Sequence, residues 1–233
     1  MFDLRSIVIG LVLMLKKYTC LNLAIYEEVN EEDYKNGIMV LPLMGFAIGF
    51  VAFIIVSFRY IYDSFFISSA LLLYYCLVTK TANIKDVYRT LNYYIKPANQ
   101  TEHIAGIIGA VLICLMYFSL FRIVPVTSLI IMPVAGFSNL IILSKVIKRD
   151  SNNTSILKYC GTYHIVSAFA TAFLFAAIFY YKLIISLSLT FMLFALSVSI
   201  LDKRVKYVPS SIEGFIIEIS QVMFLIITYI MRL

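Results

Sequence analysis

Glu218 is the only charged residue in the last long apolar run of this 233-residue chain, "FIIEISQVMFLIITYIM" (215–231). An ionisable group at membrane depth is costly to leave charged and unpaired, so it marks a functional site or a structural ion pair with one of Lys203, Arg204 or Lys206. A second concentration of chemistry lies in "LVTKTANIKDVYRTLNYYIKPANQTEH" (77–103), where Lys80, Lys85, Arg89 and Lys96 are set against one acidic residue, Asp86, before Glu102. Such a segment faces anions. Its tyrosines Tyr88, Tyr93 and Tyr94 fall at interface depth, where amphipathic rings anchor.

The remaining candidates carry weaker signals. His103, beside Glu102, and His164, four residues after Cys160, lack the spacing of a metal site or a nucleophile pair. Cys20, Cys76, Cys114 and Cys160 form no C-x-x-C motif and read as small apolar fillers. Glu27, Glu28, Glu31, Glu32 and Asp33 precede an apolar run and suit a solvated helix start, where carboxylates meet the positive end of the helix dipole.

The elements that must position these groups follow from composition. Hydrophobic residues make up 62% of the chain and charged residues 14%, against about 25% charged in a soluble domain. That excludes a soluble enzyme. A membrane-spanning helix needs about 20 mostly apolar residues, and windows near 37–57, 64–79, 104–121, 123–144, 165–181, 183–201 and 215–231 predict about seven. The fold class is therefore all-α: a polytopic helical membrane protein, residues 1–233 forming one integral-membrane domain. At the N-terminus "MFDLRSIVIGLVLMLKKY" has too short an apolar core and no cleavage site for a signal peptide, and predicts an interfacial helix with Lys16 and Lys17 at the headgroups.

Counted from the N-terminal segment through each loop to the C-terminal tail, Lys and Arg number 4, 1, 4, 1, 4, 1, 3 and 1. Short loops rich in Lys and Arg stay in the cytoplasm. The alternation predicts cytoplasmic segments at about 1–36, 80–103, 145–164 and 202–214, a cytoplasmic N-terminus and an external C-terminus. The net charge of +6 then reflects topology and attraction to anionic headgroups; the expected partner is the lipid bilayer, with no nucleic acid. Pro42 is expected to kink the first span, Gly45 and Gly49 to form a small-residue face, and Pro125 and Pro133 to interrupt the fourth.

Residues 33–50, "DYKNGIMVLPLMGFAIGF", resemble the N-terminal signature of the adenosylcobinamide-GDP ribazoletransferases, or cobalamin-5′-phosphate synthases, in which "FPLVG" precedes an "IG" pair; here "LPLMG" and "AIG" stand in register. The C-terminal "EISQVMFLI" (218–226) is similar to that family's "ELGEVVFLL". The resemblance implies an enzyme of the bacterial or archaeal cell membrane that transfers adenosylcobinamide phosphate from adenosylcobinamide-GDP to α-ribazole or its 5′-phosphate, releasing GMP, with Mg²⁺ as cofactor and corrinoid and nucleotide substrates as partners.

The family's polar segment runs H-x-D-G-x-x-D-x-x-D-G, with aspartates at i, i+4 and i+7 converging on metal from one helix face. Laid on this chain, the pattern puts Asn83 at the His and Lys85, Arg89 and Asn92 at the three aspartates, with Asp86 turned about 100° away. Elsewhere "FLTRIPVP" becomes "YTCLNLAI" (18–25), "TGD" becomes "VPS" (208–210), and of two glutamates in the last span Glu218 remains while Gln221 replaces the other. The resemblance thus implies Lys85, Arg89, Asn92, Asn83 and Glu218 as a phosphate- or substrate-binding set, with no metal ligand and no assigned catalytic residue. Two readings stay open. Lys85 and Arg89 supply the positive charge directly, or the site has lost transfer and the protein is a corrinoid-binding or scaffold protein, with a small transporter as a further alternative.

Overall fold

The structure, a computed structural model, describes residues 4–95, 104–145, 156–202 and 209–232. Among these lie α1 (Leu4–Tyr18), α2 (Glu31–Ser57), α3 (Ser64–Val78), α4 (Ala82–Tyr94), α5 (Ile104–Ile123), α6 (Ser128–Ile142), α7 (Thr162–Tyr180), α8 (Leu183–Asp202) and α9 (Ile212–Ile230), joined by short 3₁₀ turns and coil, with no strand. The all-helical reading holds. Among the described residues five helices, α2, α5, α7, α8 and α9, are long and apolar enough to cross a membrane by length and composition, or up to six if α3 and α4 form one broken span.

The predicted fourth span corresponds to the shorter apolar helix α6. The window 123–144 contains a turn at Pro125, whose carbonyl accepts from the Ser128 amide at 3.0 Å, and the helix that follows has 15 residues, about 22 Å. Every residue from Ser128 to Ile141 is buried, against α2, α7 and α9. Hydropathy cannot tell a helix wrapped by protein from one wrapped by lipid, because both favour the same side chains. Helix α2 continues through Pro42, and α6 through Pro133.

The tightest approach joins α2 to α6. A Cβ on Gly45 would lie 2.8 Å from the Pro133 carbonyl oxygen, and one on Gly49 would collide with the carbonyl of Ile130. The small-residue face therefore lets two backbones meet, which is how packing gains energy in lipid, where helices compete with equally apolar acyl chains. On the other flank of α6, Gly136 receives the Gln221 side chain of α9, and Asn139 Nδ2 donates to Ser220 Oγ at 2.5 Å.

At one end of the bundle α3 turns into α4 through 81°. Lys80 (φ 52°) and Thr81 (φ 54°) form the corner, two successive non-glycine residues in the left-handed region, and the Thr81 amide closes it on the Cys76 carbonyl at 2.9 Å. Helix α4 then lies against α9 and α5, with Thr90 and Ser211 hydroxyls 2.8 Å apart and Asn92 Oδ1 accepting from the Gly106 amide at 2.8 Å. At the opposite end Arg59 donates to the carbonyls of Phe121 (3.5 Å), Arg122 (3.4 Å) and Val124 (2.9 Å), satisfying acceptors that the end of α5 leaves unpaired. Asp63 caps α3 by accepting from the amides of Phe65 and Phe66.

The N-terminal helix does form. It crosses the start of α2 where Gly10 and Gly37 put the two backbones in contact, and Arg5 pairs with Glu27. In the acidic cluster Asp33 accepts from the Asn30 amide at 2.8 Å, as a helix start requires.

Candidate functional site

The site is organised by one face of α9, on which Gly214, Glu218 and Gln221 follow at i, i+4 and i+7. Helices α3, α4 and α5 close over that face. Glu218 is 0% exposed, and its two carboxylate oxygens are each reached by a phenol: Tyr75 of α3 at 2.8 Å and Tyr117 of α5 at 2.5 Å. Both hydroxyls also touch Gln221 Oε1, at 2.6 Å and 2.9 Å. A buried tyrosine needs a partner for its hydroxyl, and here two of them converge on one acid.

Helix α4 contributes Asn83, 2% exposed. Its side-chain amide turns toward the Glu218 carboxylate, with Nδ2 short of hydrogen-bond geometry and unpartnered. Gly214 permits this approach: a Cβ there would lie 3.0 Å from Asn83 Cα and 2.5 Å from the Asp86 carboxylate.

One turn nearer the end of the bundle lies a second acid. Glu213, 3% exposed, accepts from Lys17 Nζ at 2.5 Å and from Tyr18 Oη at 2.9 Å, which ties α1 to the start of α9. Asp86 accepts from the Gly214 backbone amide. Helix α4 is amphipathic and bent away from α3, so it lies along the end of the bundle. Burial pushes the Asp86 carboxyl up to about 6, reinforced by Glu213, while Arg89, Lys17 and the Gly214 amide act the other way.

That shift has a signed consequence. The folded protein holds the Asp86 proton more tightly than the unfolded chain, whose aspartate titrates near 3.9. The ionised form therefore costs stability above about pH 6, and the cost is relieved as pH falls from about 6 to about 4. Thermal denaturation of Asp86→Asn against wild type is expected to show the variant gaining most at pH 7 or above and the difference shrinking toward pH 5. A difference independent of pH would remove the effect.

The structure brings together two of the residues singled out in sequence, Asn83 and Glu218. Lys85 and Arg89 are exposed on the outer side of α4, and Asn92 is occupied in capping α5 through Gly106. The face of α4 turned to α9 carries Asn83, Asp86 and Thr90. His164 accepts from the Gly161 amide at Nδ1 and meets the Lys35 carbonyl at Nε2, so both ring nitrogens are engaged with backbone. His103, Glu102 and the candidate ion-pair partners Lys203, Arg204 and Lys206 lie outside the described residues.

Among the described residues no three His, Cys, Asp or Glu side chains gather where they could hold a metal ion. Glu213 already has Lys17 as its counter-ion, and Glu218 is engaged by protein hydroxyls. These residues do not fit a carboxylate-held Mg²⁺. Sequence reasoning missed Tyr75, Tyr117, Tyr18 and the Lys17–Glu213 pair. The signal for the first two is a phenol inside an apolar run, in "LLLYYCLV" and "LMYFSL". No protein-family model matches this chain, and no curated protein or solved structure matches it either.

Proposed function

We propose that this multi-pass membrane protein is a relative of the adenosylcobinamide-GDP ribazoletransferases that binds a corrinoid or nucleotide ligand at the α4–α9 end of the bundle without metal-dependent transfer. One observation supports this reading. The segment after α3, which stands where that family carries its aspartates, and the last helix, which resembles that family's, meet at Asn83 and Glu218, yet the side chains meeting there are an amide, a carboxylate and two phenols in place of a set of carboxylates. Phosphoryl transfer depends on neutralising anionic oxygens and aligning the attacking group, and this set supplies no positive charge. In this reading the α4–α9 end faces the cytoplasm of a bacterial or archaeal cell, in keeping with the alternation of Lys and Arg between loops.

Transport has less support, because α6 runs unbroken through Pro133 and no second broken helix pairs with the α3–α4 corner among the described residues. The test is to incubate the protein in vesicles with adenosylcobinamide-GDP and α-ribazole 5′-phosphate, with and without Mg²⁺. Corrin binding without GMP release is the expected result. Mg²⁺-dependent GMP release would overturn the loss of transfer, and no corrinoid binding would overturn the ligand assignment.

A further inference from the structure

The cluster around Glu218 holds more contacts than protons. Tyr75 Oη lies 2.8 Å from Glu218 Oε1 and 2.6 Å from Gln221 Oε1; Tyr117 Oη lies 2.5 Å from Glu218 Oε2 and 2.9 Å from the same Gln221 oxygen. Each is an oxygen–oxygen separation of hydrogen-bond length and needs a proton between its ends. The phenols bring two; a carboxylate and an amide oxygen bring none. With Glu218 ionised, two of the four contacts would press lone pair against lone pair in the dry interior, where such repulsion is least screened.

One added proton closes the three shortest contacts. Tyr117 donates to Glu218 Oε2, the acid donates through Oε1 to Tyr75, and Tyr75 donates to Gln221. The groups facing Glu218 include no cation among the described residues: α3 presents Tyr75 and Cys76, α5 Tyr117 and Cys114, and α4 Asn83, while Asn139 of α6 is engaged with Ser220. A metal ion is a poor occupant, since oxygens that share one stand farther apart than oxygens that share a proton.

We propose that Glu218, Tyr75, Tyr117 and Gln221 form a proton-binding site inside the membrane, with Glu218 carrying the proton, reached from the α4 side past the unpartnered Asn83. The site shares Glu218, Tyr75, Tyr117 and Asn83 with the ligand assignment above, but the count of protons and contacts holds whether or not a corrinoid or nucleotide binds. Gly214, flanked by Asn83 and Asp86, separates it from the end of the bundle.

Infrared spectra of the protein in phosphatidylcholine vesicles at neutral pH, in H₂O and in D₂O, test it. The wild type is expected to show a carboxylic-acid carbonyl band that shifts on deuteration, survives exchange of choline for sodium, and is absent from Glu218→Gln. Tyr75→Phe, which removes the acceptor of that proton, should move the band, so the assignment stands even if Glu218→Gln fails to fold. A wild type with no such band would overturn the proposal in favour of an ionised Glu218 with the Gln221 amide reversed. A band abolished by sodium would overturn it in favour of a metal ion, and one unmoved in Tyr75→Phe would place the proton elsewhere.

Discussion

Gly49→Leu is expected to leave the protein unable to assemble, with loss of its cooperative melt in detergent and of protease resistance in vesicles. The added side chain would be driven into the backbone carbonyl of Ile130, a group that cannot rotate away. Even Gly49→Ala is expected to cost about 1–3 kcal/mol, the usual penalty of overpacking a filled core. Trimming the neighbour, as in Ile130→Ala, should give no rescue, because the obstacle is main chain. Gly161→Ala serves as the control, since a Cβ there meets only His164 Nδ1 at 3.6 Å, an ordinary contact. A Gly49→Leu protein that melts like wild type would show that α2 and α6 do not meet as described.

The second large effect belongs to the Lys17–Glu213 pair. Lys17→Met would leave Glu213 buried without its counter-ion while Tyr18 still donates to it, and removing one partner of a buried ion pair costs about 3–5 kcal/mol. The lower end applies here, because the Lys17 side chain keeps 38% of its accessibility and so some of its hydration. Glu213→Gln in the Lys17→Met background should recover most of the loss, as the stranded charge disappears. A double-mutant cycle in urea or by thermal melting measures the coupling. Additive single effects would show that the two side chains do not share an interaction. The variant also loosens α1 from α9, so susceptibility of α1 to proteolysis should rise in parallel.

The helices were legible because burial in lipid and burial in protein both demand apolar runs of similar length. That same degeneracy hid the character of α6: "SLIIMPVAGFSNLII" differs little in composition from a lipid-facing helix, and its enclosure by α2, α7 and α9 depends on neighbours far away in sequence. Glu218 could be picked out because a lone acid in an apolar run breaks a strong pattern. Tyr75 and Tyr117 could not be ranked above the other tyrosines, since their importance arises from two helices placing them at one carboxylate. The face of α4 turned inward is a tertiary fact as well. The i, i+4, i+7 set of Lys85, Arg89 and Asn92 is sound as geometry, but packing against α9 and α5 selects Asn83, Asp86 and Thr90 instead.

The corner at Lys80 and Thr81 behaves as a loaded spring. A β-branched residue in the left-handed region costs on the order of 1–2 kcal/mol, and a second non-glycine neighbour adds to it. What keeps the corner shut is the grip of α4 on its surroundings through Thr90, Asp86 and Asn92. Loss of that grip would relieve the strain at the corner, and because Asn83 of α4 lies over Glu218 it would also thin the cover between that carboxyl and water.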